Sequence, residues 1–341
     1  MKRLLNTLYV TTEGAHVRKD GQTIAVEIDG RTRMRTPVHL LGQIICFGQV
    51  TLSADCMGFA AANGVSIALL GWSGKLQARI EGPQTGNVLL RRAQHTRTET
   101  PERALPVARA VVVAKICNHR SVLRRHLRDY PDAPGHDAMQ EAQKRLDHAA
   151  RRALTVQDLD TVRGIEGEAG ATYWQVFPYL IRNPDFPFTG RTRRPPRDST
   201  NAVLSFLYAL VGLDARAACE AHGLDPQMGF LHRDRPGRSS LALDLMEEFR
   251  APLADRVALN LINRRQLSAR DFEPQETGAV LLSDTGRRKV LDTYQDRKRT
   301  ELRHKWFDEV APLGLFPQLQ AQLLARHLRG ELDGYPAFVW A

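Results

Sequence analysis

Cysteine is scarce in this chain. Cys46, Cys56, Cys117 and Cys219 are the only four in 341 residues, and no two form a CxxC pair. That spacing excludes a disulfide framework and a zinc knuckle, and it reads as reduced core thiols. No apolar run reads as long enough to span a bilayer. Lys2 and Arg3 precede an apolar start, but Asn6 and Thr7 interrupt it too soon for a signal peptide. These absences point to a cytoplasmic protein with no membrane partner. Neither G-x-x-x-x-G-K-[ST] nor G-x-G-x-x-G opens a nucleotide site, and no nucleophile elbow marks a serine hydrolase. Internal repeats and low-complexity segments are also missing.

Basic residues, in contrast, are in excess. Lys and Arg number 48 against 38 Asp and Glu, for a formal net charge of +10. Most of the excess is arginine, whose planar fork matches phosphate geometry, so the balance points to nucleic acid. Hydrophobic residues make up 43% of the chain, which sets disorder aside. The length suits two domains, each with its own core.

Short strand-like runs fill residues 7 to about 80. TLYVTT, AHVRK, TIAVEI and TRMRT are punctuated by Glu13-Gly14, Asp20-Gly21 and Asp29-Gly30, pairs that suit tight hairpins. IICFG, VTLS and SIALLGW follow, with a further turn at Ser73-Gly74. After Gly86 the apolar spacing becomes helical. Helices are expected over 102–128, 137–152, 155–181, from Asp198 or Ser199 to about 222, from Ser239 or Ser240 onward, over 284–306 and over 317–328. The expected fold is α+β: a small antiparallel β domain over 1–90, then a larger all-α domain over 91–341.

Candidate chemistry gathers in two segments. In GFLHRDRPGRSSLALDLMEEFR (229–250), His232 lies in a turn-rich stretch and Asp244, Glu247 and Glu248 follow on a helix. Asp244 and Glu247 are three apart and share a face. Acids near a helix N-terminus also favour the dipole, which alone would explain Asp244. Their apolar neighbours Leu241, Leu243, Leu245 and Met246 place at least one of them in an interior, where it needs a counter-charge. In RGIEGEAGATYW (163–174), Glu166 sits among glycines, with Glu168 a rival acid on another face. One imidazole and two carboxylates from separate helices suit a hard divalent cation such as Mg²⁺ or Mn²⁺. His222, at a helix end, is the weaker imidazole candidate. Lys115, Arg120, Arg124, Arg125 and Arg128 occupy one helix, where such side chains are usually solvated. Arg191, Arg193, Arg194 and Arg197 occupy a proline-stiffened loop, which favours phosphate contact. Arg163 and Arg238, flanking the two acidic segments, are further candidates for DNA contact.

At these motifs the chain resembles the CRISPR-associated integrase family ("Cas-one"), the first of the two universal proteins of spacer acquisition. The resemblance runs through RGIEGEAGATYW, RRPPRDSTNAVLSFLYALV and GFLHRDRPGRSSLALDLMEEFRAPLADRV. LNTLYVTTEGAHVRKDGQTIAVEIDG and EGPQTGNVLLRRAQH are similar to the subtype I-C branch. The resemblance implies a metal triad of Glu166, His232 and Glu247, with Asp244 as an auxiliary acid. It also implies a homodimer whose N-terminal domain serves dimerisation and partner contacts. Two such dimers would flank a dimer of the companion "Cas-two" protein on a short duplex.

The implied reaction is metal-dependent phosphoryl transfer. A 3′-hydroxyl of protospacer DNA attacks a phosphodiester at the CRISPR leader–repeat junction, and water in its place gives nuclease activity. Two other readings share these residues. One is a stand-alone nuclease on branched DNA in repair, which would not join strands. The other is a non-catalytic DNA-binding scaffold whose carboxylates only satisfy buried arginines, and which would not respond to metal.

Overall fold

The structure is a computed structural model that describes residues 6–72, 74–83 and 87–340. The chain divides into two compact units, residues 1–86 and 87–341.

The first unit is built from β1 (Asn6–Val10), β2 (His16–Asp20), β3 (Thr23–Ile28), β4 (Arg31–Pro37), β5 (Leu41–Phe47), β6 (Thr51–Leu52), α1 (Ala54–Ala62), β7 (Ser66–Leu70) and β8 (Leu76–Ile80). The strands form two four-stranded sheets, ordered β1-β5-β7-β8 and β4-β3-β2-β6. Leu8, Ile44 and Ile67 from one sheet and Val17, Ile24 and Val26 from the other share one core with Cys56 and Ala60 of α1. Two expected hairpins form. Gly21 (φ +59°) joins β2 to β3, and Asp29 (φ +52°) with Gly30 (φ +69°) joins β3 to β4. Consecutive left-handed residues match the strand twist, which is why Asp-Gly serves there. Gly14 also turns the chain at φ +72°, but β1 and β2 belong to different sheets, so it makes no hairpin. Ser73 lies outside the described residues.

The expectation of an antiparallel domain needs correcting. β1–β5, β5–β7 and β2–β6 are parallel pairings. Parallel neighbours require a crossover. Helix α1, capped by Ser53 accepting from the Cys56 backbone N–H at 3.2 Å, supplies one between β5 and β7.

The second unit contains α2 (Val88–Thr98), α3 (Pro101–Asp129), α4 (His136–Thr155), α5 (Leu159–Val176), α6 (Ser199–Ala221), α7 (Ser240–Glu247), a π-helical turn over Arg250–Asp255, and α8 (Arg256–Asn263). The hairpin β9 (Phe272–Pro274) and β10 (Val280–Leu282), α9 (Asp284–Arg299), the hairpin β11 (Glu301–His304) and β12 (Glu309–Pro312), and α10 (Phe316–Leu328) follow. The unit is therefore mostly but not wholly helical. The helix expected over 284–306 stops at Arg299, and Trp306 lies exposed between β11 and β12. Asp198 caps α6 by accepting from the Asn201 backbone N–H at 2.7 Å. Contrary to the sequence reading, α6 is long and apolar enough by composition to cross a membrane. Here Val203, Leu204, Leu207, Val211, Ala215 and Cys219 are fully buried in the unit's core.

Three cysteines are buried and Cys117 is half-buried, all as free thiols. Burial pushes the Cys46 thiol up to about 12 and Cys56 to about 11, so neither is poised as a nucleophile.

Candidate metal centre

Gly229 sets the local geometry. A Cβ there would stand 2.7 Å from Ser240 Cβ and 3.0 Å from Asp244 Oδ2. Only glycine lets this loop press on the start of α7. Once it does, the next three backbone N–H groups reach one carboxylate. Phe230 and Leu231 donate to Asp244 Oδ2 at 2.6 and 3.0 Å, and His232 donates to Oδ1 at 3.0 Å. His232 Nδ1 also lies 2.6 Å from Asp244 Oδ1. A carboxylate engaged on both oxygens this way has no free face for a ligand. It fixes the His232 tautomer with the proton on Nδ1, leaving the Nε2 lone pair outward.

That Nε2 faces Glu247, whose Oε1 is 3.9 Å away. Glu247 is one turn beyond Asp244 on α7 and 2% exposed. Burial alone would raise its carboxyl, but Arg250 and then Lys115 outweigh burial and hold it at about 2. Arg250 Nη2 pairs with Glu247 Oε1 at 3.0 Å, and Lys115 Nζ is 2.8 Å from Oε2. Lys115 is the one partner of this buried Oε2 among the described residues, held by charge rather than by a well-aligned hydrogen bond.

Glu166 comes from α5, which Asp158 caps by accepting from the Thr161 backbone N–H at 2.7 Å. It pairs with the same Lys115 ammonium. Lys115, 5% exposed, thus stands between two acids from two different helices. As these side chains stand, no three His, Cys, Asp or Glu groups among the described residues surround one point. The cation at the centre is the lysine's own.

The donor set fits a divalent cation. Among the described residues, Glu166, Asp244 and Glu247 make ion pairs with only two permanent cations, Lys115 and Arg250, so the carboxylates outnumber the cations that touch them. The approach to Glu166 is also open. A Cβ at Gly164, Gly167 or Gly170 would meet nothing within 4 Å, so these glycines do not serve helix packing in this chain. Each costs α5 about 1 kcal/mol against alanine. Gly167 and Gly170 instead line a cavity of about 160 Å³ with Lys115, Glu166, Trp174 and Arg193.

The other candidates sort by their partners. Glu168 is exposed and pairs with Arg152 at 3.1 Å, away from the cluster. His222 closes α6. Arg163 Nε donates to Leu231 O at 2.7 Å and its Nη1 to Asp160 at 2.7 Å, so it anchors the His232 loop rather than presenting a free fork. Arg191 is committed to Asn201 and Ser205 at 2.7 and 3.0 Å, which pins its loop. Arg193, Arg194 and Arg197 are exposed, and Arg238 is half-buried.

Sequence reasoning missed Lys115 as a site residue, because its helix reads as a solvated basic one. Its one clue is a lone charge inside VVVAKIC. Arg250 was missed as well, although it lies i+3 from Glu247. His119, one turn past Lys115, is stacked on Tyr173 at 4.0 Å. Burial first, and Lys115 next, keep its imidazole neutral.

Comparison with known proteins identifies the family. Residues 8–296 match the family described as "CRISPR associated protein Cas1". "CRISPR-associated endonuclease Cas1 2" of Rhodospirillum rubrum is 54% identical over 346 residues, covering 100% of both chains. Among solved structures, a "Casposase bound to integration product" superposes with a TM-score of 0.84 at 22% identity, covering 99% of this chain and 95% of that one. A chain of a "Cas6-RT-Cas1--Cas2 complex" gives a TM-score of 0.82 at 20% identity, covering 99% of this chain and 36% of that one. At such low identities the structures speak to the fold alone. The sequence matches show that the chain belongs to the Cas1 family of CRISPR-associated proteins.

Proposed function

We propose that the chain is a metal-dependent DNA endonuclease and integrase that inserts protospacer DNA into a CRISPR array. One observation carries the site assignment: His232, locked by Asp244, turns its free Nε2 toward buried Glu247, and Glu166 shares Lys115 with that same Glu247. Glu166, His232 and Glu247 would hold Mg²⁺ or Mn²⁺. Such an ion, when bound, stabilises charge on the phosphoryl group and on the departing oxygen.

The remaining residues act by position and charge. Asp244 orients His232, and Arg163 fixes the loop that carries it. Arg250 holds Glu247 ionised and aimed at the cluster. Lys115 neutralises the two acids in the metal-free chain. Arg193, at the rim of the cavity beside Glu166, is placed to meet a phosphate of the entering strand. The attacking group is a DNA 3′-hydroxyl in joining and water in cleavage.

Double-stranded DNA and a Cas2 companion are the proposed partners. A relative's name describes it as an endonuclease, and the titles of two structural neighbours describe an integration product and a Cas1–Cas2 complex. A homodimer in the cytoplasm, with the strand-rich unit serving dimerisation and partner contacts, completes the reading. The test is a strand-transfer assay with labelled 3′-hydroxyl DNA, with and without Mn²⁺. Metal-dependent joined product supports the proposal. Cleavage without joining would favour a repair nuclease. DNA binding with no metal response would favour a scaffold in which Lys115 and Arg250 are the permanent partners of the acids.

A further inference from the structure

Elsewhere in the second unit, two cations withdrawn from solvent have acidic partners. Lys298 pairs with Asp214 at 2.8 Å, and Arg250 pairs with Glu247. Three other arginines have less acidic support. Arg125 is on α3, Arg256 opens α8, and Arg297 is on α9.

Two anchors bring them together. Arg297 Nε donates to Pro252 O at 2.9 Å, and Pro252 lies one turn ahead of Arg256 on the same helical run. The Arg297 guanidinium also sits over the Trp340 ring, 5.6 Å from its centroid. Trp340 is fastened to α3 at both ends of its backbone. Its N–H donates to Asn118 Oδ1 at 2.7 Å, and its carbonyl accepts from Ser121 Oγ at 2.9 Å. Ser121 is one turn before Arg125 on α3. Arg297 is thereby tied to the two segments that carry the other arginines, and it feels the charge of both.

Their charge is only partly met, because Asp129 is the one carboxylate that acts on both Arg125 and Arg256. Arg256 is half-buried and makes no hydrogen bond or ion pair among the described residues. Arg297 Nη2 is buried without a partner. Arg125 has only Asp129 at 3.5 Å, and Arg128 claims that carboxylate at 2.9 Å. The mutual repulsion is visible in Arg297, which burial, Arg256 and Arg125 together hold down to about 10. Three guanidinium groups that repel one another, two of them partly desolvated, cost free energy that an anion would offset.

We infer that Arg125, Arg256 and Arg297 form a second anion site, separate from the carboxylate cluster, that takes a phosphate of the DNA backbone. Guanidinium forks match phosphate oxygens in bidentate geometry. Lys115 and Arg125 are ten residues apart on α3, about 15 Å along the axis. That length corresponds to about four phosphates along one strand of a duplex. The site would thus grip the substrate away from the reacting phosphodiester. Naming DNA as the source of the phosphate rests on the proposed function, whereas the existence of an oxyanion site does not.

The test has two arms, both in EDTA so that catalysis is silent. In the first, anisotropy of a labelled duplex is followed against salt for wild type, Arg256→Gln, Arg256→Lys and Arg125→Gln. The glutamine variants should bind roughly eightfold more weakly at 0.1 M salt and lose about one unit of log–log salt slope. Arg256→Lys should regain the slope. In the second arm, inorganic phosphate should raise the melting temperature of wild type and do so less in the glutamine variants. Without phosphate at low salt, these variants should melt no lower than wild type, because repulsion is relieved; a merely structural arginine would lower it. Should Arg256→Gln fail to fold, exposed Arg125→Gln carries the test. An unchanged slope together with an unchanged phosphate shift overturns the site. A lost phosphate shift with unchanged DNA binding supports the oxyanion site and overturns DNA as its source. Wild type that binds no DNA defeats the proposed function, and the phosphate arm then decides this inference by itself.

Discussion

Glu247 and Glu248 are consecutive and both fully buried, and their carboxyls are shifted in opposite directions. Glu247 faces Arg250 and Lys115, and these hold it at about 2 despite burial. Glu248 faces neutral donors: the Tyr335 hydroxyl, the Phe338 backbone N–H at 2.6 Å and Gln320 Nε2 at 3.0 Å. Burial wins there and pushes it up to about 7. Burial sets the cost of a carboxylate, and the charge of its neighbours decides whether that cost is met. On the proposed function, the cationic side of α7 is where a metal ion would take the place of the lysine ammonium. The neutral side fastens the segment around Tyr335 and Phe338 to the helix, which is a structural task.

The comparison breaks most sharply on the cationic side. Glu166→Gln, His232→Ala and Glu247→Gln should each abolish cleavage and joining while duplex binding is kept, as read by gel assay and anisotropy. Glu247→Gln should also destabilise the fold, since Arg250 and Lys115 lose their shared partner, by about 3–5 kcal/mol. Full activity in any of the three removes that residue from the site.

Glu248→Gln sharpens the other side. Glu248 is raised from an ordinary 4.5 to about 7, so the fold binds its proton more tightly than the unfolded chain does. Its contribution is complete below pH 4.5 and is lost as pH rises through 7, on the order of 3 kcal/mol. Glu248→Gln mimics the protonated form. Its stability against urea should therefore fall less than wild type's between pH 4.5 and 7, with activity retained. Parallel curves would show that Glu248 is ionised in the fold.

Asp244→Asn should lower metal affinity about ten- to a hundredfold and be rescued by excess Mn²⁺, because the side chain orients His232 and does not itself ligate. Rescue of Glu247→Gln but not of Asp244→Asn would reverse the two roles. The smallest effect belongs to the exposed loop. Replacing Arg193, Arg194 and Arg197 with alanine should leave folding intact and flatten the salt dependence of DNA binding by about one unit for each phosphate the loop no longer neutralises. An unchanged slope assigns the loop to another task.

Much of this was legible in the sequence, for physical reasons. Helices α3, α4 and α6 follow from apolar spacing and from local caps such as Asp198. The Asp29-Gly30 hairpin follows from the need for positive φ. The parallel pairings were not legible, because their partners are far apart along the chain and no turn residue marks them. The third acid stayed open for a similar reason. Asp244 and Glu247 share a helix face, and spacing alone does not say which is spent on backbone N–H groups. Gly229 settles that through its close approach to Ser240 across the loop. Lys115 was hidden because its partners lie on α5 and α7, and nothing local distinguishes a bridging lysine from a solvated one.

The most direct test of the central claim is metal binding itself. Mn²⁺ titration followed by electron paramagnetic resonance, without DNA, should find one tight site per protomer. Glu166→Gln, His232→Ala and Glu247→Gln should each remove it, while Lys115→Met should tighten it by withdrawing the competing ammonium. No tight Mn²⁺ site in wild type, or a site that survives all three ligand substitutions, would contradict the account.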